Sequence, residues 1–137
     1  MSRTLSWIYG LLFLAFAGLR VFAHSDLLFG LFSVDHAHNL MHVVSGIAGL
    51  LAGIAGVYWS RLYLWTAGLV YLAVCVAGFI AGQVLGVALS TADNFLHLAI
   101  ATVALYTVFA EDPRLGSERV PITGLRGVTD FREPAHR

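Results

Sequence analysis

The sequence contains no lysine, and its eight basic residues are all arginine. Charged residues of both signs make up only 12% of the 137 residues, against roughly a quarter in ordinary soluble domains. So few charges cannot cover the water-facing surface of a soluble domain, and the composition therefore predicts a membrane protein. The formal net charge is zero, which gives no electrostatic reason to expect a nucleic-acid partner.

Cysteine, proline and catalytic motifs are equally scarce. The single cysteine, Cys75, cannot form an intramolecular disulfide and is interpreted as a small buried hydrophobic residue. All three prolines follow residue 110, and together with several glycines they mark residues 111–137 as a loose cytoplasmic tail. The sequence has no HExxH, GxSxG or P-loop motif, so it does not favour an enzyme.

Long apolar runs, by contrast, are abundant. Hydrophobic residues make up 58% of the chain and the mean hydropathy is +0.79. Four segments approach the roughly 20 apolar residues that cross a bilayer. The predicted helices cover residues 5–23, 40–59, 62–85 and 95–110. We therefore expect an all-α, integral membrane four-helix bundle within residues 1–110, with the lipid bilayer as its first partner.

The distribution of arginines between the two sides of the membrane predicts the orientation of this bundle. Four spans place both termini on one side of the membrane. That side carries Arg3, Arg61 and the five arginines of the tail, whereas the other side carries only Arg20. The positive-inside rule therefore places both termini in the cytoplasm.

Two pairs of short motifs indicate an internal repeat. GLLFLA at residues 10–15 matches GLVYLA at 68–73, an offset of 58 residues. HNLMH at residues 38–42 matches DNFLH at 93–97, an offset of 55 residues. Each half is then a helix pair that enters the membrane from the same side. The pattern predicts two tandem helix-hairpin repeats about a pseudo-two-fold axis along the membrane normal.

The second pair of motifs concentrates polar residues at the outer ends of helices two and four. A spacing of three or four residues places the polar side chains of each motif on one helix face. The sequence therefore predicts one outward-opening cleft between these helices, formed by His38, Asn39, His42, Asp93, Asn94 and His97.

Most of the polar residues near this cleft have a structural interpretation. Ser90 and Asp93 fit a capping box at the start of helix four. Arg20 either extends to the membrane interface or pairs with a nearby aspartate. Asparagines in membrane helices commonly form interhelical hydrogen bonds. A structural polar network is accordingly predicted from Asn39, Asn94, Arg20 and Gln83.

The histidines also have a functional interpretation, because ionisable residues within membrane helices commonly mark functional sites. His42 and His97 are candidate ligands of a haem or a bacteriochlorophyll. Alternatively, they join His38 and Asp93 around a divalent metal such as zinc. Structural hydrogen bonding and proton transfer are the remaining alternatives for these side chains.

The two polar motifs resemble those of a bacterial family of small four-helix membrane proteins, the domain of unknown function DUF4383. Members typically show an HNxxH-like stretch at the start of helix two and an NTADNxxH stretch at the start of helix four. Here HNLMH at 38–42 and STADNFLH at 90–97 are similar to these stretches, with Ser90 where asparagine is usual. The resemblance covers about residues 5–110. It implies four membrane helices and a bacterial inner membrane, and it implies no activity, cofactor or catalytic residue.

The leading functional prediction is a structural or accessory subunit of a membrane complex, or a homo-oligomer. It rests on the absence of catalytic motifs, on the tail, and on small residues such as Gly49 and Gly53 that allow close helix packing in helix two. One alternative is a haem, pigment or metal-binding protein that uses the outer cluster of histidines and aspartate. A second alternative is a small transporter or a pH sensor.

Overall fold

The computed structural model of the protein describes residues 1–20, 27–33 and 35–111. The predicted tail, apart from residue 111, lies outside the described residues. Within these ranges the chain is all-α in architecture, as predicted. Its helices are α1 (Ser2–Leu19), α2 (His36–Ala55), α3 (Val57–Ala81) and α4 (Thr91–Ala110).

All four helices are long and apolar enough to cross a membrane. Their outward faces carry large apolar side chains: Ile8, Leu51, Val76 and Phe109 are each about half exposed or more. A soluble monomer rarely exposes apolar surface of this extent, whereas a lipid environment favours it. These features suggest a multi-pass membrane protein.

Helices α2 and α4 each begin four residues before the predicted start. In α2 the side chain of Asp35 accepts a hydrogen bond from the backbone N–H of His38 at 2.9 Å. In α4 Ser90 and Asp93 form the predicted capping box, because each side chain accepts a hydrogen bond from the other residue's backbone N–H. Because of these caps, both polar motifs lie inside the first two turns of their helices. The apolar pattern alone predicts that each helix starts later, after the first residues of its polar motif.

The turn between α2 and α3 lies at Gly56 and not at residues 59–62, where the sequence predicts it. Gly56 has φ +114°, a conformation that is accessible to glycine and strained for other residues. It is the only residue between the two helices, so Trp59 and Arg61 belong to the first turns of α3.

The loop between α1 and α2 and the loop between α3 and α4 each contain a short β-hairpin that was not predicted from the sequence. The first pairs β1 (Leu27–Leu28) with β2 (Phe32–Ser33), and the second pairs β3 (Gln83–Val84) with β4 (Val87–Ala88). Both turns begin with a bulky residue followed by glycine, and all four residues have positive φ: Phe29, Gly30, Leu85 and Gly86. Hairpin turns usually place asparagine, aspartate or glycine at such positions. Strands of two residues are also too short to show the alternation of apolar and polar residues that indicates a strand. The sequence therefore carried no recognisable hairpin signal.

Helix α1 packs most closely against α2, and α3 packs most closely against α4. Glycines make both contacts possible. A Cβ atom on Gly10 would lie 2.8 Å from the backbone nitrogen of Leu50, and one on Gly68 would lie 2.7 Å from Cγ of Leu105. In both pairs, therefore, the absence of a side chain lets a leucine of the neighbouring helix approach the backbone.

The glycines of α2 face α1 and not the outside of the bundle. An added Cβ on Gly46, Gly49 or Gly53 would contact α1 or a side chain within the bundle at 2.7–2.9 Å. These glycines therefore serve packing within the chain. The core they enclose is formed by Tyr9, Phe13, Leu64, Ala67, Tyr71, Ile100, Ala101, Ala104 and Val108.

Glu111 ties the start of α1 to the end of α4 at one end of the bundle. One carboxylate oxygen lies 2.5 Å from the Met1 amino group and accepts a hydrogen bond from the Ser2 backbone N–H at 2.8 Å. The Ser2 hydroxyl donates to the other oxygen. Burial alone would raise the pKa of the Glu111 carboxyl, but these hydrogen bonds and the amino charge outweigh burial and lower it.

We expect Glu111→Gln to destabilise the bundle in a pH-dependent way. Because folding lowers the pKa of Glu111, its ionised form stabilises the fold above the usual value of 4.5, and this contribution is lost as the pH falls below it. Thermal unfolding of the two proteins in detergent should therefore differ at pH 7 and converge as the pH falls below 4.5. A difference that does not change with pH would contradict this role.

Candidate functional site

Three histidines lie side by side at the end of the bundle where α2 and α4 begin. His38 and His42 come from the first two turns of α2, and His97 comes from the second turn of α4. None is more than 6% exposed. The ring centroid of His38 lies 4.6 Å from that of His42 and 5.8 Å from that of His97. One ring nitrogen from each residue lies within 4.8 Å of the other two, so the structure brings these predicted site residues together.

Each residue of this three-histidine cluster has at least one ring nitrogen without a hydrogen-bond partner among the described residues. Both ring nitrogens of His38 and the Nδ1 atoms of His42 and His97 are buried and make no hydrogen bond with any of them. A buried polar atom without a partner costs about 1–3 kcal/mol. Structural hydrogen bonding, one of the interpretations drawn from the sequence, therefore does not account for these four atoms.

An aromatic pair forms the floor of the cluster. The rings of Phe13 and Tyr71 stack on each other with centroids 5.1 Å apart. Phe13 also stacks on His42 at 5.6 Å, and Tyr71 lies against His97 at 5.2 Å. The Tyr71 hydroxyl donates a hydrogen bond to Oγ of Ser45 at 2.9 Å. These contacts fix the positions of both histidine rings from below.

The sequence analysis missed this aromatic floor, although a signal for it was present. Phe13 and Tyr71 occupy the same place in the matched motifs GLLFLA and GLVYLA. An aromatic residue in an apolar run is usually a core residue, so the shared position alone did not indicate a site.

Asp93 is close to the histidines but is engaged elsewhere. One carboxylate oxygen, Oδ2, accepts hydrogen bonds from the backbone N–H groups of Ser90 at 2.8 Å and of Ser33 at 3.0 Å. The residue is 3% exposed, and its charge interacts with His42 and His97. In this geometry Asp93 connects α4 to the first hairpin and supplies negative charge beside the cluster, whereas the close group of donor atoms consists of the three histidines.

The remaining predicted polar residues have different surroundings. The side-chain oxygens of Asn39 and Asn94 are buried and have no hydrogen-bond partner among the described residues, so the predicted interhelical bonds are not made through these atoms. Arg20 directly follows α1 and is half-buried. Gln83 is exposed because the chain turns at Gly82, whose φ is +69°, and carries Gln83 into β3. Gln83 therefore does not join the buried cluster.

A cavity of about 290 Å³ adjoins the cluster between α2 and α3, beneath the second hairpin. All three histidines line it. Its other walls are mostly apolar and are formed by Ala37, Met41, Ser45, Val70, Tyr71, Val74, Val84, Leu85, Val87 and Leu89. The three histidines therefore border a partly open, mostly apolar space.

Comparison with known proteins gives one match. The family model described as Domain of unknown function (DUF4383) matches residues 3–110, which confirms the resemblance seen in the polar motifs. No curated protein and no solved structure matched the chain.

Proposed function

We propose that this chain, which belongs to the DUF4383 family, is a membrane protein that binds a transition-metal ion through His38, His42 and His97. The observation that carries the proposal is a group of three buried imidazoles. Each has a ring nitrogen within 4.8 Å of one from each of the other two, and each has at least one nitrogen without a hydrogen-bond partner among the described residues. Neutral imidazole is a preferred ligand of zinc, copper, nickel and iron.

The cluster needs only a small contraction to bind an ion. Zinc–nitrogen bonds of about 2.0–2.1 Å in tetrahedral geometry place the ligand nitrogens roughly 3.4 Å apart. The separations of up to 4.8 Å therefore have to shrink by somewhat more than an ångström at most. Rotation of the imidazole rings, each of which has at least one nitrogen without a hydrogen-bond partner among the described residues, supplies such a shift.

The packing favours an ion over a haem or a bacteriochlorophyll. A macrocycle ligated by both His42 and His97 needs a planar gap between the two rings. The His38 ring lies beside both of them, and the stacked pair of Phe13 and Tyr71 closes the space below. An ion fits among three convergent nitrogens without displacing these rings.

Purification of the full chain from native membranes in mild detergent tests the proposal. We expect about one transition-metal ion per chain by elemental analysis, and no haem or chlorophyll absorption band. Protein that stays free of metal after such a purification, and after incubation with zinc, cobalt or copper, would contradict the proposal. A haem or chlorophyll band without metal in the histidine cluster would favour the pigment alternative.

A second candidate function is an accessory subunit of a membrane complex or a homo-oligomer. It is favoured by an open groove of about 370 Å³ near the inner end of α2 and α3. Ala48, Ala52 and Ala55 line one side of this groove, and Trp59 and Tyr63 lie on the other. Small residues at such a surface allow another helix to approach closely. The same purification tests this candidate, because it predicts a second copy or another membrane protein in stoichiometric amount.

The third candidate function is a small transporter or a pH sensor. A metal-binding protein and a transporter would use the same three-histidine cluster, but a transporter must release its ion readily. Retention of a stoichiometric ion through purification would therefore count against transport, and loss of the ion on brief dialysis would favour it.

We also propose that the two halves are tandem repeats, because equivalent contacts recur at the two sequence offsets. The pair Gly10 and Leu50 corresponds to Gly68 and Leu105 at offsets of 58 and 55 residues. The ring contact between Phe13 and His42 corresponds in the same way to that between Tyr71 and His97. Arg3 donates to the carbonyl oxygen of Gly53 and Arg61 donates to that of Val108, again at these offsets.

Two-fold related halves should superpose in an experimental structure, with the stacked Phe13 and Tyr71 rings on the axis. An arrangement in which α1 with α2 cannot be superposed on α3 with α4 would contradict the duplication.

For the orientation, we propose cytoplasmic termini in a bacterial inner membrane, with the histidines toward the outside. The support is the position of Arg3 and Arg61 at the end of the bundle opposite the histidines. In a Cys75→Ser background, a membrane-impermeant thiol reagent should label His36→Cys in intact cells and should not label Thr4→Cys. The reverse labelling pattern would overturn this orientation.

A further inference from the structure

We infer that an ion held by the three-histidine cluster keeps one coordination position open toward the adjoining cavity, and that this position binds a small monoanion. The inference rests on the proposed metal-binding function and specifies the ligand of the same site. Three lines of observation support it: the number of protein donors, the shape of the cavity and the balance of charge.

The described residues supply three donors where tetrahedral coordination requires four. Closed structural zinc sites have four protein ligands, whereas sites with three protein ligands leave a position for an exogenous one. Across residues 1–20, 27–33 and 35–111, the group of convergent donor atoms contains His38, His42 and His97. The nearby Tyr71 hydroxyl and the Asp93 carboxylate are engaged with Ser45 and with backbone N–H groups. The fourth ligand is therefore expected to come from outside the protein.

The cavity determines where this fourth ligand lies. All three histidines line the space of about 290 Å³, whose walls include Val70 and Val74 of α3. A water molecule occupies about 30 Å³ in the liquid, so the cavity accommodates a ligand of several non-hydrogen atoms beside the ion. Phe13 stacks on His42 and is not among the described residues that line the cavity, so its ring closes another side of the cluster. The cavity is therefore the accessible side.

The entrance to the cavity lies at the lipid-facing surface between α2 and α3. Met41 of α2 and Val70 of α3 line the cavity and are 54% and 51% exposed. Helices α2 and α3 pack less extensively against each other than α1 packs against α2 or α3 against α4. Because the passage is apolar, it favours small, weakly hydrated ligands over strongly hydrated ones.

The charge balance favours an anion at this position. A divalent ion with three neutral imidazoles carries two positive charges, and the buried carboxylate of Asp93 compensates one of them. Asp35 caps α2 near His38 but is only half-buried, so solvent screens its charge. The described residues that line the cavity include no aspartate, glutamate or arginine. One positive charge remains in apolar surroundings, where an unpaired charge is costly, and a monoanion neutralises it.

Azide titration of the cobalt-loaded full chain in detergent tests the inference, because the visible spectrum of Co²⁺ reports its coordination. We expect a saturable spectral change with one azide bound per cobalt. Val74→Phe narrows the cavity and should lower azide affinity by at least about tenfold while cobalt stays bound. Leu72→Phe adds the same ring on an exposed position of the same helix and should leave azide affinity unchanged.

Substitution of Asp93 should change azide affinity in the opposite direction from Val74→Phe. Asp93→Asn keeps a side-chain oxygen that can accept the backbone hydrogen bonds, but it removes the compensating charge. Azide affinity should then rise by about tenfold, because two positive charges face the anion in place of one. A merely structural role of Asp93 would not strengthen anion binding.

The outcomes separate this inference from the proposed function. If cobalt binds and azide leaves its spectrum unchanged, the inference is overturned and the metal site stands. Equal azide affinity in Val74→Phe and Leu72→Phe would overturn the assignment of the open position to the cavity. Weaker azide binding in Asp93→Asn would overturn the charge argument. A chain that binds no cobalt removes the proposed function and this inference with it.

Discussion

Replacement of His38, His42 or His97 by alanine is expected to lower the affinity for the metal ion by more than about 100-fold, because mutation of an outer-shell partner alone costs 10–100-fold. Each residue supplies one of the three convergent nitrogens, so each variant leaves two protein ligands. The measurement is metal affinity of the purified chain by competition with a chelator of known affinity.

The matched control for these variants is His36→Ala. His36 is the first residue of α2, only two positions from His38, but it is exposed and does not belong to the cluster. Its replacement should leave metal affinity unchanged. Retention of normal affinity by any of the three cluster variants would contradict the proposed ligand set.

Thermal unfolding adds a readout that separates loss of a ligand from loss of the fold. A ligand present at 100 times its dissociation constant stabilises the native state by about 2.7 kcal/mol. Metal should therefore raise the unfolding temperature of the wild type and of His36→Ala, and should have little effect on the cluster variants. A cluster variant that folds and still shows the full metal-induced shift would be evidence for another binding site.

The second large effect is expected from Gly10→Ala. The new Cβ atom would lie 2.8 Å from the backbone nitrogen of Leu50, and a backbone atom cannot move aside by side-chain rotation. Overpacking of this kind typically costs about 1–3 kcal/mol, and we expect the upper part of that range because α1 and α2 must separate locally. The measurement is the free energy of unfolding in mixed detergent micelles.

Two further glycines provide graded controls for this variant. Gly18→Ala is made in the same helix. Apart from its own helix and its chain neighbours, no atom of the described residues lies within 4 Å of the added Cβ, so this variant should be neutral or stabilising by up to about 1 kcal/mol. Gly68→Ala meets side-chain atoms of Leu105 at 2.7–2.8 Å, and these can rotate away. We therefore expect destabilisation to decrease from Gly10 through Gly68 to Gly18; similar values at all three positions would contradict the packing argument.

The helices could be predicted from the sequence because each apolar run is long, but their first turns could not be placed by hydropathy. The residues before Leu40 and before Phe95 are polar, so the apolar pattern begins one turn late. The capping residues Asp35 and Ser90 were visible in the sequence, and their geometry defines the true starts. The two hairpins were missed because Phe29 and Leu85 occupy turn positions that usually carry small or polar residues.

The histidine cluster could be predicted because it depends on spacing within helices and on a match between two motifs. The four-residue spacing of His38 and His42 places them on one face, and the match brings His97 to the same depth in α4. The floor formed by Phe13 and Tyr71 depends on how α1 meets α3, which spacing along one helix cannot reveal. The hydrogen bond from the backbone of Ser33 to Asp93 likewise depends on a hairpin without a sequence signal.

The one-residue connection at Gly56 makes this position a pivot for the two helices that flank the cavity. The Gly56 N–H donates to the carbonyl oxygen of Ala52, and the Gly56 carbonyl accepts from the N–H of Ser60. Gly56 is therefore hydrogen-bonded to both helices, and no flexible loop separates them. Met41 lies 15 residues away along α2, about 22 Å at 1.5 Å per residue. With a lever arm of this length, a rotation of about 5° at Gly56 widens the entrance by about 2 Å. A change in one backbone dihedral at this connection would therefore be amplified at the other end of the two helices, next to the histidines.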